Sequence, residues 1–211
     1  TPFSVQDAKA LDPFVDIHKV ASFEINHIRL LEFLAQTNKP ILLSTGASTY
    51  DEIDFAVNLI KSKTSFSLLQ CTSKYPCDID ALNLSVIPKM KSRYNVPVGL
   101  SDHSLDPIIG PQVAVGLGAT IIEKHFTLDQ SLPGPDHSFA LNPSSLKSMI
   151  TAIRDVEKIL TSDKKIIFNE DQKLALGSGE KIILEDEKEL RRFAKRSIQA
   201  IKDIQKNDLL E

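Results

Sequence analysis

GLSDHSLD, residues 99–106, follows the apolar run Val96-Pro97-Val98 and sets a hydroxyl, a carboxylate and an imidazole at consecutive positions, Ser101, Asp102 and His103. Further on, the run Thr120-Ile121-Ile122 ends in EKHFT and delivers Glu123, Lys124 and His125. Short apolar runs rich in β-branched residues read as buried strands, and polar groups gathered at the same end of two strands mark a common mouth. Two strands therefore finish in histidine, side by side.

Working outward, five such runs recur every 25 to 30 residues or so, at 15–20, 41–44, 66–71, 96–100 and 120–123. Helical patterns lie between them. In STYDEIDFAVNLIKSK, Thr49 and Glu52 form a capping box, and Ile53, Ala56, Val57 and Ile60 make one apolar stripe. In NPSSLKSMITAIRDVEKIL, Asn142 caps, Pro143 opens the first turn, and Leu146, Met149, Ile150, Ile153, Val156 and Leu160 are expected to be buried. Alternation of strand and helix at this pitch predicts a parallel α/β sheet. Of the two parallel architectures, the (β/α)8 TIM barrel is favoured over the doubly wound sheet. No GxGxxG or GxxxxGK[ST] follows the first strand, and polar residues decorate the ends of all five. A closed barrel needs eight strands and roughly 250 residues. Five βα units are expected here, so the chain reads as an incomplete barrel, with Thr1 as the tail of a preceding strand.

The bulk properties narrow the function. A chain of 211 residues with 42% hydrophobic and 25% charged residues can bury a real core. Its net charge of −3, with lysine and arginine scattered, predicts no nucleic-acid partner. No run of eighteen apolar residues and no signal-peptide pattern occurs, so no membrane partner is expected and the chain reads as cytoplasmic. Cys71 and Cys77 fit no zinc spacing and read as free thiols.

A lone histidine at a strand end is commonly structural, and His18 and His27 read that way, while His137 in a Gly/Pro loop stays open. His103 and His125 on adjacent strand ends are different. Two neutral imidazoles aimed into one mouth can hold a divalent ion and leave positions for water and substrate oxygens. Lys19, between Ile17 and Val20, is expected to aim into the mouth toward an anion, with Ser22, Ser44 and Ser101 donating hydroxyls around it.

The ordered set TPFS, HKVASFEI, ILLSTGAS, LLQCTSKYP, VGLSDHS, IIEKHFTLD and LPGPDHSFALNP resembles the sialic acid (N-acetylneuraminate) synthase family. ASFEI and PGPDHSFALNP are closest in type to its spore-coat polysaccharide and pseudaminic/legionaminic acid synthase relatives. The resemblance implies condensation of phosphoenolpyruvate with an N-acylated hexosamine, N-acetylmannosamine-like, to a nine-carbon nonulosonic acid and phosphate, in surface or spore-coat polysaccharide biosynthesis. It implies a divalent metal, Mn2+ or Mg2+, on His103 and His125, and catalytic roles for these two and Lys19. Phosphoenolpyruvate contacts would fall on Thr1, Lys19, Ser22, Ser44 and Ser101, with Tyr75 and Asp136 facing the sugar. Ser73 stands where many members carry asparagine and joins the substrate set.

KRSIQAIKDIQKNDLLE further resembles the opening of the family's C-terminal antifreeze-like (SAF) domain. The expected organisation is the C-terminal part of a TIM-barrel synthase domain over 1–165, a linker over 166–195, and a truncated SAF domain from 196 to 211. The complete protein is expected to be a homodimer, and this portion alone inactive. Rival readings are another metal-dependent TIM-barrel aldolase or synthase, or a non-catalytic truncated module.

Overall fold

The structure, a computed structural model, describes residues 1–198, 200, 202–206 and 209. Helix α1 (Val5–Leu11) leads into strand β1 (His18–Val20). Then follow α2 (Ile28–Gln36), β2 (Ile41–Ser44), α3 (Tyr50–Ile60), β3 (Phe66–Cys71), α4 (Val86–Tyr94), β4 (Val98–Asp102), α5 (Ile109–Gly116) and β5 (Ile122–Lys124). Helices α6 (Pro143–Leu160), α7 (Glu170–Leu174) and α8 (Glu185–Ala194) complete the described order.

All four strand pairings are parallel and the sheet order is β1-β2-β3-β4-β5. A doubly wound sheet reverses direction at a switch point, whereas a barrel adds each βα unit on the same side. The sequential order is the barrel's, here a curled half-barrel.

Strand alternation sorts the side chains into two faces. Val20, Ile41, Leu43, Leu68, Val98 and Leu100 pack outward into one core with Leu30, Leu31, Leu34, Ile53, Ile60, Ile87 and Met90 of the helices. The intervening positions Lys19, Ser44, Cys71, Ser101 and Glu123 line the concave side at the C-terminal ends. Polar chemistry thus collects on the inner face while the outer face carries the stability.

The α3 capping box forms, with Thr49 N–H donating to Glu52 Oε2 at 3.0 Å, and the expected stripe is buried. In α6, Met149, Ala152 and Val156 are buried, but Ile150 and Leu160 are exposed. This helix packs against α5 on one flank, while Phe126, Leu146 and Ile150 border a shallow groove on the other.

Two strands extend further than their apolar runs. The ladder of β4 and β5 continues through Ser101↔Glu123 and Asp102↔Lys124, because these polar residues satisfy one another across the strands. Strand β1 begins only at His18, after a 3₁₀ turn at Asp12–Phe14. No described helix is long and apolar enough to cross a membrane.

The segment 166–195, expected as a connection, packs closely against the barrel. Leu84 and Ser85 donate backbone N–H groups to Ala175 O and Leu176 O, each at 2.9 Å, and Ala175 is fully buried. Beyond it, the SAF segment expected over 196–211 falls partly outside the described residues; Ser197, Ile198 and Ala200 are not in a strand.

Candidate active site

The C-terminal ends of all five strands surround a cleft of about 400 Å³. It brings together eight of the expected residues: Thr1, Lys19, Ser22, Ser44, Tyr75, Ser101, His103 and His125. Ser73 lies beneath its floor, fully buried, with Oγ 4.0 Å from Cys71 Sγ. Asp136 sits in an adjoining groove, its carboxylate 3.8 Å from His125 Nε2.

The histidine rings stand 5.4 Å apart, centroid to centroid. Tyr75 covers His103 at 4.1 Å, and Phe139 packs on His125 at 5.0 Å. His103 Nδ1 lies 2.9 Å from Thr72 O. A carbonyl oxygen only accepts, so Nδ1 carries the proton and a neutral His103 keeps its Nε2 lone pair free, the arrangement found behind metal-bound imidazoles. Burial opposes charge on His103, but the Cys71 sulfur beside it and the Thr72 carbonyl outweigh burial and raise its pKa. His125 is lowered, by burial first and then by His103. Among the described residues no three His, Cys, Asp or Glu side chains converge as a metal set. The pair therefore offers two nitrogen ligands and an open coordination sphere, which fits a site that completes itself with substrate and water.

On the other side of the cleft, Lys19 is largely buried, with Nζ 3.4 Å from Glu123 Oε1. Ser101 Oγ donates to the same carboxylate oxygen at 2.8 Å. Ser22 Oγ accepts from Gly46 N–H at 3.0 Å. Ser44 is 1% exposed, and among the described residues its hydroxyl has no hydrogen-bond partner. An unsatisfied buried hydroxyl costs about 1–3 kcal/mol, so one that persists in a polar cleft points to a ligand.

Glu123 and Cys71 belong to the site but were absent from the expected set. Glu123 lies two residues before His125, and strand period alone puts it on the same face. Cys71 Sγ sits 3.9 Å from His103 Nδ1, and that neighbour lowers the thiol's pKa against the opposing effect of burial. Of the other histidines, His18 bonds Asp12 at 2.9 Å, His27 caps α2, and His137 bonds Thr127 Oγ1 at 2.7 Å.

A family model for the NeuB family matches residues 1–165. The chain is 41% identical over 193 residues to the spore coat polysaccharide biosynthesis protein SpsE of Bacillus subtilis, covering 90% of this chain and 51% of that protein. It is 38% identical to pseudaminic acid synthase of Helicobacter pylori, over 100% of this chain and 58% of that one. The crystal structure of B. subtilis SpsE superposes with a TM-score of 0.82 at 38% identity, over 91% of this chain and 53% of that one. The sialic acid synthetase of Leptospira borgpetersenii, crystallised in complex with citrate, gives a TM-score of 0.72 at 40% identity, over 82% and 61% of the two chains. The chain spans about half the length of the curated relatives it matches. Sequential parallel strands, an inner face of lysine and hydroxyls, paired histidines at adjacent strand ends and these likenesses converge on one assignment: the chain belongs to the NeuB family.

Proposed function

We propose that the complete protein condenses phosphoenolpyruvate with an N-acylated hexosamine, consuming one water, to give a nine-carbon nonulosonic acid and phosphate. The single observation that carries this reading is the buried, unpartnered Ser44 hydroxyl in a cleft shared with Lys19, Ser22 and Ser101. One ammonium ringed by hydroxyls suits an anion with several oxygens, such as a phosphate or an enol-phosphate carboxylate. Glu123 engages both Lys19 and Ser101. An entering anion competes for these two donors and finds Ser44 already free.

The histidine end serves the second substrate. His103 and His125 would hold Mn2+ or Mg2+, and such an ion supplies Lewis-acid polarisation of an aldehyde oxygen. Tyr75 walls this end and Asp136 stands at its outer lip, so the hexosamine is assigned here, over the histidines. Thr1 borders the anion end. Bond formation then requires the two substrates to lie across the cleft with their reacting carbons adjacent, a positioning effect supplied by the opposed lysine and histidine ends. As a biosynthetic synthase the complete protein is assigned to the cytoplasm as a homodimer.

The test is product analysis by mass spectrometry with the full-length protein, phosphoenolpyruvate, Mn2+ and a panel of N-acylhexosamines. A nine-carbon acid formed with stoichiometric phosphate is expected. Phosphate release without a carbon–carbon bonded product, or no turnover with any hexosamine, overturns the assignment.

A further inference from the structure

Glu187 lies on α8, over a hundred residues along the chain from β2 and β3, yet its carboxylate is buried in the barrel at 2% exposure. Oε1 accepts two backbone N–H groups, from Ala47 at 2.8 Å and Ser73 at 2.7 Å. Oε2 accepts Leu184 N–H at 3.0 Å. Ala47 belongs to the turn after β2 and Ser73 to the turn after β3, so one carboxylate oxygen joins two strand-end turns that do not otherwise share a backbone bond. Charge-assisted bonds of this kind are about twice as strong as neutral ones.

These two turns carry one side of the anion end. Ser44 and Gly46 precede Ala47, and the Gly46 N–H binds Ser22 Oγ. The two turns are also tightly interlocked. A Cβ on Gly46 would overlap Ser73 Oγ and come within 2.8 Å of Cys71 Sγ and Ser22 Oγ. A few tenths of an ångström of separation between the turns would move Ser22 and Ser44 relative to Lys19. Other contacts of the same segment reinforce the clamp. Lys181 Nζ reaches Gln70 Oε1 at 3.2 Å and Cys71 O at 3.4 Å, and Arg191 donates to Ala47 O.

We infer that Glu187 is a positioning residue for the anion end, acting through the Ala47 and Ser73 amides to fix the spacing of Ser22 and Ser44 from Lys19. The inference rests on the proposed binding of phosphoenolpyruvate at that end. It makes α8 part of the synthase site rather than a connection leading away from it. Glu187 touches neither substrate, and its effect falls first on the end that holds Ser22 and Ser44. The histidine end stands mainly on β4, β5 and the loop after β5, and meets the clamped turn after β3 through Thr72 and Tyr75.

The experiment uses full-length protein and measures phosphoenolpyruvate binding by calorimetry, the KM of each substrate, and Tm, for wild type, Glu187→Ala and Glu187→Gln. Loss of an acceptor shared by two buried amides is expected to weaken phosphoenolpyruvate about tenfold or more in Glu187→Ala, with a clearly smaller rise in the hexosamine KM. Glu187→Gln keeps one carbonyl oxygen for both amides and should recover much of the affinity, and it remains informative if the alanine variant fails to fold. Unchanged phosphoenolpyruvate affinity in a folded variant, or equal rises in both KM values, overturns the inference. Wild type that does not bind phosphoenolpyruvate overturns the function proposed above and this inference with it, whereas binding that is insensitive to Glu187 overturns this inference alone.

Discussion

Asp102 and Lys124 are cross-strand partners in the ladder of β4 and β5 and form a buried ion pair at 2.7 Å, one residue before each of the two histidines. Lys124 Nζ also donates to Ser104 O at 2.7 Å and Asp106 O at 3.1 Å, and Asp102 Oδ1 accepts Ser104 N–H at 2.7 Å. These contacts rivet the loop after β4 to β5. Asp102→Ala leaves an uncompensated buried ammonium, for which about 3–5 kcal/mol of destabilisation is expected, while Asp102→Ala with Lys124→Met should restore most of it. Urea unfolding of the two variants checks this; equal losses in both would show that the ion pair is not what the site depends on.

Ser44 separates stability from binding. Because its hydroxyl is buried without a partner, Ser44→Ala should leave Tm unchanged or raise it slightly, yet weaken phosphoenolpyruvate about tenfold. A fall in Tm with intact affinity would mean that the hydroxyl serves the fold instead of the ligand.

Gly46 is sterically constrained. Its Cα faces Ser73, Cys71 and Ser22 so closely that even a methyl group must push the two turns apart. Gly46→Ala is expected to cost about 1–3 kcal/mol through overpacking and to abolish measurable phosphoenolpyruvate binding; a folded variant that binds normally would contradict the packing described.

Glu52 gives a pH signature. Burial raises its carboxyl, but hydrogen bonds from Arg191, Lys195 and the Thr49 backbone dominate and hold it at about 2, against an ordinary value of 4.5. A lowered folded pKa means that the contribution is complete above about 4.5 and disappears as the pH falls through about 2. The difference in urea midpoint between wild type and Glu52→Gln should therefore be constant at neutral pH and shrink across that acidic window. A difference that persists at pH 2 would rule out the ionised carboxylate as its source.

The proposed metal site requires both imidazoles. Titration of Mn2+ followed by electron paramagnetic resonance should give one site per full-length chain, lost in His103→Phe and in His125→Phe. Retention of stoichiometric binding in either variant would place the ion elsewhere.

The parallel sheet, the α3 stripe and the histidine pair were legible because each rests on local periodicity or on two matching strand ends. Polar residues misled the reading of strand length: Asp102 and Lys124 look like punctuation, and only their mutual pairing across the ladder keeps them in the sheet. Glu187 offered no signal. It is one carboxylate in the run EDEKE, and its burial arises from a meeting with Ala47 and Ser73 that no spacing within α8 encodes. Ser73 is set back from the cleft lining for a related reason: its backbone N–H bonds that same carboxylate, and its hydroxyl lies 4.0 Å from Cys71 Sγ.

Residues 181–196 grip the turns after β1, β2 and β3, through Glu24, Ala47 and Ser73. The loop after β5 braces itself instead, through Thr127 to His137, Gln130 to Ala140 O and Thr127 N–H to Leu141 O. The two rims of the mouth thus have separate anchors and meet at Tyr75, whose ring packs on His125 and Phe139. Grafting a relative's 126–141 loop is expected to exchange preference for one sugar against another while the enol-phosphate end carries over, provided that the seat for Tyr75 is kept.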